Sequence, residues 1–312
     1  MTEPHSCANP VVEPETSRPG RLGVGIISAG KVGAVLGSAL RAVEHQVIGV
    51  HAVSQASRER AEVMLPGVPV LEVEEIIRRA ELVLLAVPDD ALADLVTGLA
   101  ELGAWQMGQI VVHTSGRYGI EVLAPAQAAG AIPIALHPAM TFSGMSTDLA
   151  RLTGCPMAVT APPAFLPIGQ ALAVELGGEP FVLAESARAA YHAALAHGAN
   201  HLVTLVGQAV RALTAAGVED GAATLRPLLS AALGRALHEG ADQALTGPVA
   251  RGDAGTVQAH LEALSQLRDD EVKPLEDVVA TYRALARATV DRCESTGQIQ
   301  AAAAEHLRGV LG

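Results

Sequence analysis

Leu22-Gly23-Val24-Gly25-Ile26-Ile27-Ser28-Ala29-Gly30-Lys31-Val32-Gly33 is the stretch on which the fold turns. Its first six residues form a short apolar run, the pattern of a strand covered on both faces. The next six interrupt that run with small residues. From Val32 to Val43 apolar residues return at helical spacing. Strand, tight turn and helix in immediate succession are the opening of a βαβ unit.

The turn approximates the pattern G-x-G-x-x-G, with Gly30 and Gly33 as its second and third glycines and Ser28 in place of the first. The second glycine lets the backbone approach a pyrophosphate, and the third lets the helix lie close to the strand. The first permits the tight turn, where serine substitutes at modest conformational cost. The helix that begins near Lys31 offers unpaired N–H groups and the positive end of its dipole to an anion. Ser28, Ala29, Gly30, Lys31, Val32 and Gly33 are therefore expected to hold the phosphates of a dinucleotide in a Rossmann domain.

Working outward, continuous apolar runs predict further strands at 47–53, 82–87, 110–113 and 132–137, beside the first at 22–27. Helical patterns at 32–43, 57–64, 74–79, 91–102 and 120–129 alternate with them. Two more strands, 157–160 and 181–183, flank a helix at 164–176 and extend the same sheet. Beyond Glu185 no strand pattern survives. Alanine- and leucine-rich helical stretches run over 187–216, 222–239, 256–267 and from 275 to the C-terminus, broken at Gly217, Gly240 and 246–253. The expected architecture is α/β. A doubly wound, mostly parallel Rossmann sheet (21–184) is followed by an all-helical second domain (185–312) for substrate binding and dimerisation. Residues 1–20, with four prolines and no apolar core, read as a disordered tail.

Composition narrows the function. A chain of 312 residues suits two domains. A net charge of -12 repels nucleic acid and anionic membrane, and 2% aromatic residues leave no stacking platform for bases. No apolar run approaches the roughly 20 residues of a membrane span. Cys7, Cys155 and Cys293 lie too far apart for a metal motif. An odd, sparse cysteine set without a leader is expected of a soluble protein in the reducing cytoplasm. The expected partners are a small anionic substrate and a second copy of the chain, joined through the helical domain.

The end of the second strand selects the cofactor. An NAD-binding domain usually places Asp or Glu there, on the ribose hydroxyls. Here the chain reads Ser54-Gln55-Ala56-Ser57-Arg58, with no acid before Glu59. Hydroxyls from Ser54 and Ser57 and the guanidinium of Arg58 suit a 2′-phosphate, which a carboxylate would repel. NADP(H) is the expected cofactor. Ser57 as a helix cap and Arg58 as a solvated charge are compatible with that role. Val87 and Pro88, at the end of the third strand, are placed with the cofactor-binding residues.

Several stretches resemble one bacterial family, with an N-terminal Rossmann-like domain and a C-terminal helical domain of unknown function. They are Val87-Pro88-Asp89-Asp90, His113-Thr114-Ser115-Gly116, His137-Pro138 with Thr141-Phe142, Tyr191-His192 with Asn200, and Thr246-Gly247-Pro248 through Arg251-Gly252-Asp253. The family is distantly related to the 6-phosphogluconate and 3-hydroxyisobutyrate dehydrogenases, ketopantoate reductases and pyrroline-5-carboxylate reductases. The resemblance implies reduction of a small substrate, ketopantoate among the candidates. The chain departs from those dehydrogenases in one respect. They carry a catalytic lysine on the first long helix of the second domain, whereas this chain has only Lys31 and Lys273.

Hydride transfer to a carbonyl needs a proton donor beside the oxygen. Ligands of open α/β sheets lie at the carboxyl ends of the strands, which puts His113, Ser115 and His137 in position. His113 reads better as a core histidine bonded to backbone. His137, followed by Pro138 in a loop leaving the sheet, reads as functional, since histidine titrates near neutrality. Ser115-Gly116 offers a hydroxyl and an N–H to a substrate carboxylate. On the first long helix His197, Asn200, His201, Thr204 and Gln208 form a polar stripe without Lys, Asp or Glu. A solvated face would normally carry such charges, so an enclosed site competes with simple exposure. Asn200 matches the family asparagine, and His197 falls near the missing lysine. Tyr191-His192 falls mostly on another face. Asp253 reads as an N-cap, and Arg251 suits an anion or a partner subunit.

The leading expectation is an NADP(H)-dependent reductase of a small 2-oxo acid or related carbonyl, its substrate held between the Rossmann domain and the first long helix. A cyclic imine reductase of the pyrroline-carboxylate type is the second. A non-catalytic NADP(H)-binding sensor or scaffold is the third.

Overall fold

The computed structural model describes residues 21–269 and 273–312. The tail expected at 1–20 lies outside the described residues, as do 270–272 of the charged linker. Two compact units divide the chain, the first ending at Leu195 and the second beginning at Ala196.

In the first unit the apolar runs become β1 (Gly23–Ile27), β2 (Gln46–His51), β3 (Leu82–Leu85), β4 (Ile110–His113), β5 (Ile132–Pro138), β6 (Pro156–Thr160) and β7 (Glu179–Val182). They form one sheet in the order β2-β1-β3-β4-β5-β6-β7. All neighbours are parallel except β5 and β6, which pair antiparallel with Ala135 opposite Thr160. The doubly wound, mostly parallel sheet expected from the sequence is therefore present. The pleat sorts side chains to its two faces. Leu82 and Leu84 of β3 join the core with Val24, Ile26 and Leu36, while Val83 and Leu85 join Ile27, Ile76 and Val111 on the other face.

Helices α1 (Lys31–Ala42), α2 (Gln55–Met64), α3 (Val73–Arg79), α4 (Asp89–Glu101), α5 (Ala124–Ala128), α6 (Thr147–Leu152) and α7 (Leu166–Glu175) connect the strands. The short helix α6 has no counterpart in the sequence reading. The unit closes with α8 (Arg188–Leu195). The strand pattern ends near residue 184, but the compact unit runs on to Leu195. The buried Arg188 explains the difference, since it ties α8 to the sheet.

The second unit opens with a π-helical turn, Ala196–Asn200. Then come α9 (His201–Ala215), α10 (Gly221–Glu239), α11 (Ala241–Ala244), α12 (Ala254–Gln266), α13 (Glu276–Ser295) and α14 (Ala301–Leu311). The stretch 187–216, expected as one regular helix, is thus divided by that turn, whose i→i+5 bonding often accompanies functional sites. Its core gathers Val257, Leu261, Val290, Cys293, Ala304, Leu307 and Leu311. Asp220 and Asp253 cap α10 and α12 by accepting the Ala223 and Thr256 N–H groups. Helix α10 buries little within the unit: of its 19 residues only Gly221 is buried, and Leu228, Leu233 and Leu237 are exposed. Among the described residues no helix is long and apolar enough to cross a membrane.

Candidate functional site

The phosphate turn joins β1 to α1 at the carboxyl edge of the sheet. Ser28 holds φ +81°, a left-handed conformation that glycine adopts freely and that costs other residues about 1–2 kcal/mol. The serine thus reproduces the backbone of the missing first glycine at a cost in strain. Gly33 is obligatory, since a Cβ there would lie 2.1 Å from the Ser28 carbonyl oxygen and 3.0 Å from Ala86 Cβ. Gly30 is the contrasting case: a Cβ there would meet nothing closer than Ser28 Oγ at 3.4 Å. Its face is open, as backbone approached by a ligand would be. Gly30 caps α1 without a side-chain bond, so the first-turn N–H groups of Lys31, Val32 and Gly33 stay available to an anion. The turn is locked from behind by Ala29 N–H donating to His51 O at 3.0 Å. These residues fit a dinucleotide pyrophosphate.

At the end of β2, Ser54 is the N-cap of α2 and accepts from Ser57 N–H, while Ser57 Oγ donates to Ser54 O at 2.7 Å. The cap expected of Ser57 is therefore made by Ser54. Arg58 is exposed and its Nε donates to Ala52 O at 3.3 Å. Arg60, which the sequence reading passed over, donates to Ala29 O of the phosphate turn at 3.2 Å. Val87 is half-buried and Pro88 exposed, where Ala86 links β3 to α4 beside the turn.

Further along the same carboxyl edge, β4 and β5 deliver His113 and His137. His113 is fully buried. Its Nδ1 accepts from Ser115 N–H at 3.2 Å, so its Nε2 carries the proton and donates to Gly119 O at 2.8 Å. Burial pushes its pKa down to about 4 and keeps it neutral. Its partners are backbone, as a core histidine's should be. Ser115 is also buried, and its hydroxyl oxygen accepts from the Arg117 and Tyr118 N–H groups. Ser115 Oγ thus shapes the turn that follows β4.

His137 is half-buried, with Nδ1 3.0 Å from Tyr191 Oη. Burial first, then the Arg188 charge and His192, lower its pKa to about 4. Tyr191 is held above the ordinary phenol range, chiefly by burial. At neutral pH the pair is a neutral imidazole against a neutral phenol. The His192 ring stands edge-on to His137 at 6.2 Å, and Gly116 packs against both rings. A Cβ on Gly116 would lie 2.9 Å from His137 Nε2.

Arg188 organises this cluster from inside the fold. Its Nε donates to Thr160 Oγ1 at 2.9 Å, Nη1 to Ser115 O at 3.2 Å, and Nη2 to Ala135 O and Ala158 O at 2.8 and 3.1 Å. Those acceptors come from the turn after β4, from the middle of β5 and from β6, and every one is neutral. Burial lowers its pKa to about 10, so it stays cationic at neutral pH. Among the described residues no carboxylate pairs with this guanidinium, Glu185 acting on it only as a nearby charge, so it leaves positive potential at the carboxyl edge, which favours an anionic ligand. Arg188, Tyr191 and His192 lie three and four residues apart on one face of α8. That spacing was the signal available in the sequence. The polar stripe at 197–208 points the sequence reading to another helix face, which leaves Tyr191-His192 outside the expected site.

Of that stripe, His197 and Asn200 are exposed in the π-helical turn of the second unit, with His197 Nδ1 3.3 Å from His201 Nδ1. The first unit's cluster contains neither. Gln208 is buried and bonds Asp277 and Thr281 within the second unit, a packing role. Arg251 is exposed in the 3-10 turn Val249–Arg251. Among the described residues no group of His, Cys, Asp and Glu is placed to hold a metal.

Comparison with solved structures gives the same architecture. A protein of Bacteroides fragilis provisionally described as an NADP oxidoreductase superimposes with a TM-score of 0.71 at 19% identity, covering 86% of this chain and 98% of that one. An imine reductase from Pseudomonas sp. gives 0.62 at 19% identity, over 94% and 100% of the two chains. The NADP-bound pyrroline carboxylate reductase of Plasmodium falciparum gives 0.55 at 9% identity, over 86% and 98%. At these identities the likeness establishes a shared fold. Among curated proteins nothing matches. Residues 1–138 match the Rossmann-like domain family, and residues 155–289 match a domain of unknown function, DUF2520. The chain thus resembles a Rossmann-like domain over its first part, followed by a DUF2520 match that takes in β6, β7 and most of the helical unit.

Proposed function

We propose that the protein is an NADP(H)-dependent reductase of a small anionic carbonyl compound, a 2-oxo acid in the first instance. The observation that carries this reading is the His137–Tyr191 pair, 3.0 Å apart on the same carboxyl edge as the phosphate turn. The nicotinamide, when bound, supplies the hydride. Gly30, Gly33 and the first turn of α1 bind the pyrophosphate, and the acid-free end of β2 admits a 2′-phosphate. Tyr191 keeps its proton at neutral pH and donates it to the substrate oxygen. His137, protonated on Nδ1, donates to the phenolic oxygen and stabilises the phenolate left behind. Arg188 supports the same charge from within the fold and favours a substrate carboxylate.

A cyclic imine is the second substrate class. What favours it is the fold shared with imine and pyrroline carboxylate reductases over most of the chain, together with a cluster that contains no lysine. We further propose a homodimer through the helical unit. Helix α10 supports it, because Leu228, Leu233 and Leu237 stand exposed on it, apolar surface that a second copy of the chain would cover.

The test is direct. Nucleotide fluorescence follows binding of NADPH, and its oxidation is followed with ketopantoate, other 2-oxo acids and cyclic imines. Turnover that Tyr191→Phe abolishes while NADPH binding persists supports the reading. Tight binding without turnover across the panel favours the sensor instead.

A further inference from the structure

Helix α2 carries two arginines, and its pitch separates them. Residues two apart on a helix point some 200° away from each other, so Arg58 and Arg60 cannot serve one ligand. Arg58 lies back on Ala52 O. Arg60 crosses to the phosphate turn and donates to Ala29 O. A third segment closes on the same place. Gly144 holds φ +83°, and a Cβ there would lie 2.7 Å from Arg60 Nε and 3.1 Å from Lys31 Cγ. That turn is pinned by the buried Asp148, whose carboxylate accepts the Ser143 and Gly144 N–H groups at 2.7 and 2.9 Å and the Ser143 hydroxyl at 3.0 Å.

Two cations, on α1 and α2, thus converge under one turn, in a chain whose net charge is -12 and which has only two lysines. Among the described residues neither Lys31 nor Arg60 is paired with a carboxylate. Paired cations without counter-charge beside an open phosphate turn are a seat for a dianion. Resting on the dinucleotide reading above, we infer that Arg60, with Lys31, holds the phosphate that distinguishes NADP(H) from NAD(H), and that Arg58 does not. Arg60's bond to Ala29 O fixes the guanidinium beforehand, so binding a phosphate costs little further ordering.

Calorimetric titration of the full chain with NADPH, NADH and adenosine 2′,5′-bisphosphate tests this. Arg60→Gln is expected to weaken NADPH and the bisphosphate by about tenfold or more, the usual consequence of losing a charge-assisted phosphate contact, and to leave NADH within about twofold. Arg58→Gln is expected to change all three by less than about twofold. Arg60→Lys, which keeps the charge, should fall between wild type and Arg60→Gln, and circular dichroism checks that each variant is folded. A selective loss in Arg58→Gln, or equal losses of NADPH and NADH in Arg60→Gln, overturns the assignment of the phosphate. A wild-type chain that binds none of the three overturns the dinucleotide reading itself.

Discussion

Tyr191 Oη stands 3.0 Å from His137 Nδ1, joining α8 to the end of β5 across 54 residues of sequence. If this pair delivers the proton, Tyr191→Phe should lower kcat by about 10²–10⁴-fold and leave the KM within about twofold. His137→Gln keeps a hydrogen-bonding group but not the imidazole, and should cost less. Steady-state kinetics on the substrate found by the panel checks both. Equal rates for Tyr191→Phe and wild type would remove Tyr191 from the chemistry.

His113, buried, and His137, half-buried, make the first unit acid-sensitive. His113 and His137 have pKa values lowered to about 4 in the fold, against 6.5 unfolded. Between those values the unfolded chain binds protons that the folded chain does not, so stability rises with pH. It is fully present above pH 6.5, falls as pH drops towards 4, and levels off below. Each histidine contributes on the order of 3 kcal/mol across that window. Urea unfolding at pH 7 and pH 4.5 measures the loss, and NMR titration of the imidazoles should place both midpoints near 4.

Arg188→Met tests the buried stitch between α8 and the sheet. It leaves Ser115 O, Ala135 O, Ala158 O and Thr160 Oγ1 without their donor. A loss of roughly 3–5 kcal/mol is expected, the scale for removing one side of a buried charged network. The His137 pKa should also rise, because a positive neighbour is gone, but stay below 6.5 while burial persists. Arg188→Lys retains the charge and should hold the pKa near its present value while recovering part of the stability.

Ser28→Gly should stabilise the fold. Relief of a left-handed serine is worth about 1–2 kcal/mol, and glycine's greater freedom when unfolded returns about 0.5–1 of it. A net gain near 0.5–1 kcal/mol corresponds to about 2 °C in Tm. Gly33→Ala should do the reverse, costing roughly 3 kcal/mol or more, since its Cβ would sit 2.1 Å from a backbone oxygen. Calorimetry on both variants checks the pair.

Leu233→Glu with Leu237→Glu addresses assembly. Both side chains are exposed on α10, so neither change disturbs the unit's own core. Light scattering should show a dimer for the wild type and a monomer for the double variant, with unchanged circular dichroism. A wild type that is monomeric at micromolar concentration refutes the dimer.

The sequence by itself determined the sheet and its opening turn. Continuous apolar runs such as those at Val24–Ile27 and Leu82–Leu85 are local signals, because a strand buried on both faces must be apolar throughout. Gly33 declares itself for the same reason: it answers to the Ser28 carbonyl only five residues away. Only the tertiary structure decided which polar residues meet. Arg188 reads in sequence as an ordinary charge opening a helix, yet it lies buried against four acceptors 28 to 73 residues distant. Tyr191 reads off-face in sequence although β5 places His137 before it, and nothing in the sequence marks Arg60, which reaches the Ser28–Gly33 turn. Partners of that kind are set by how strands order in the sheet, and no local period records that order.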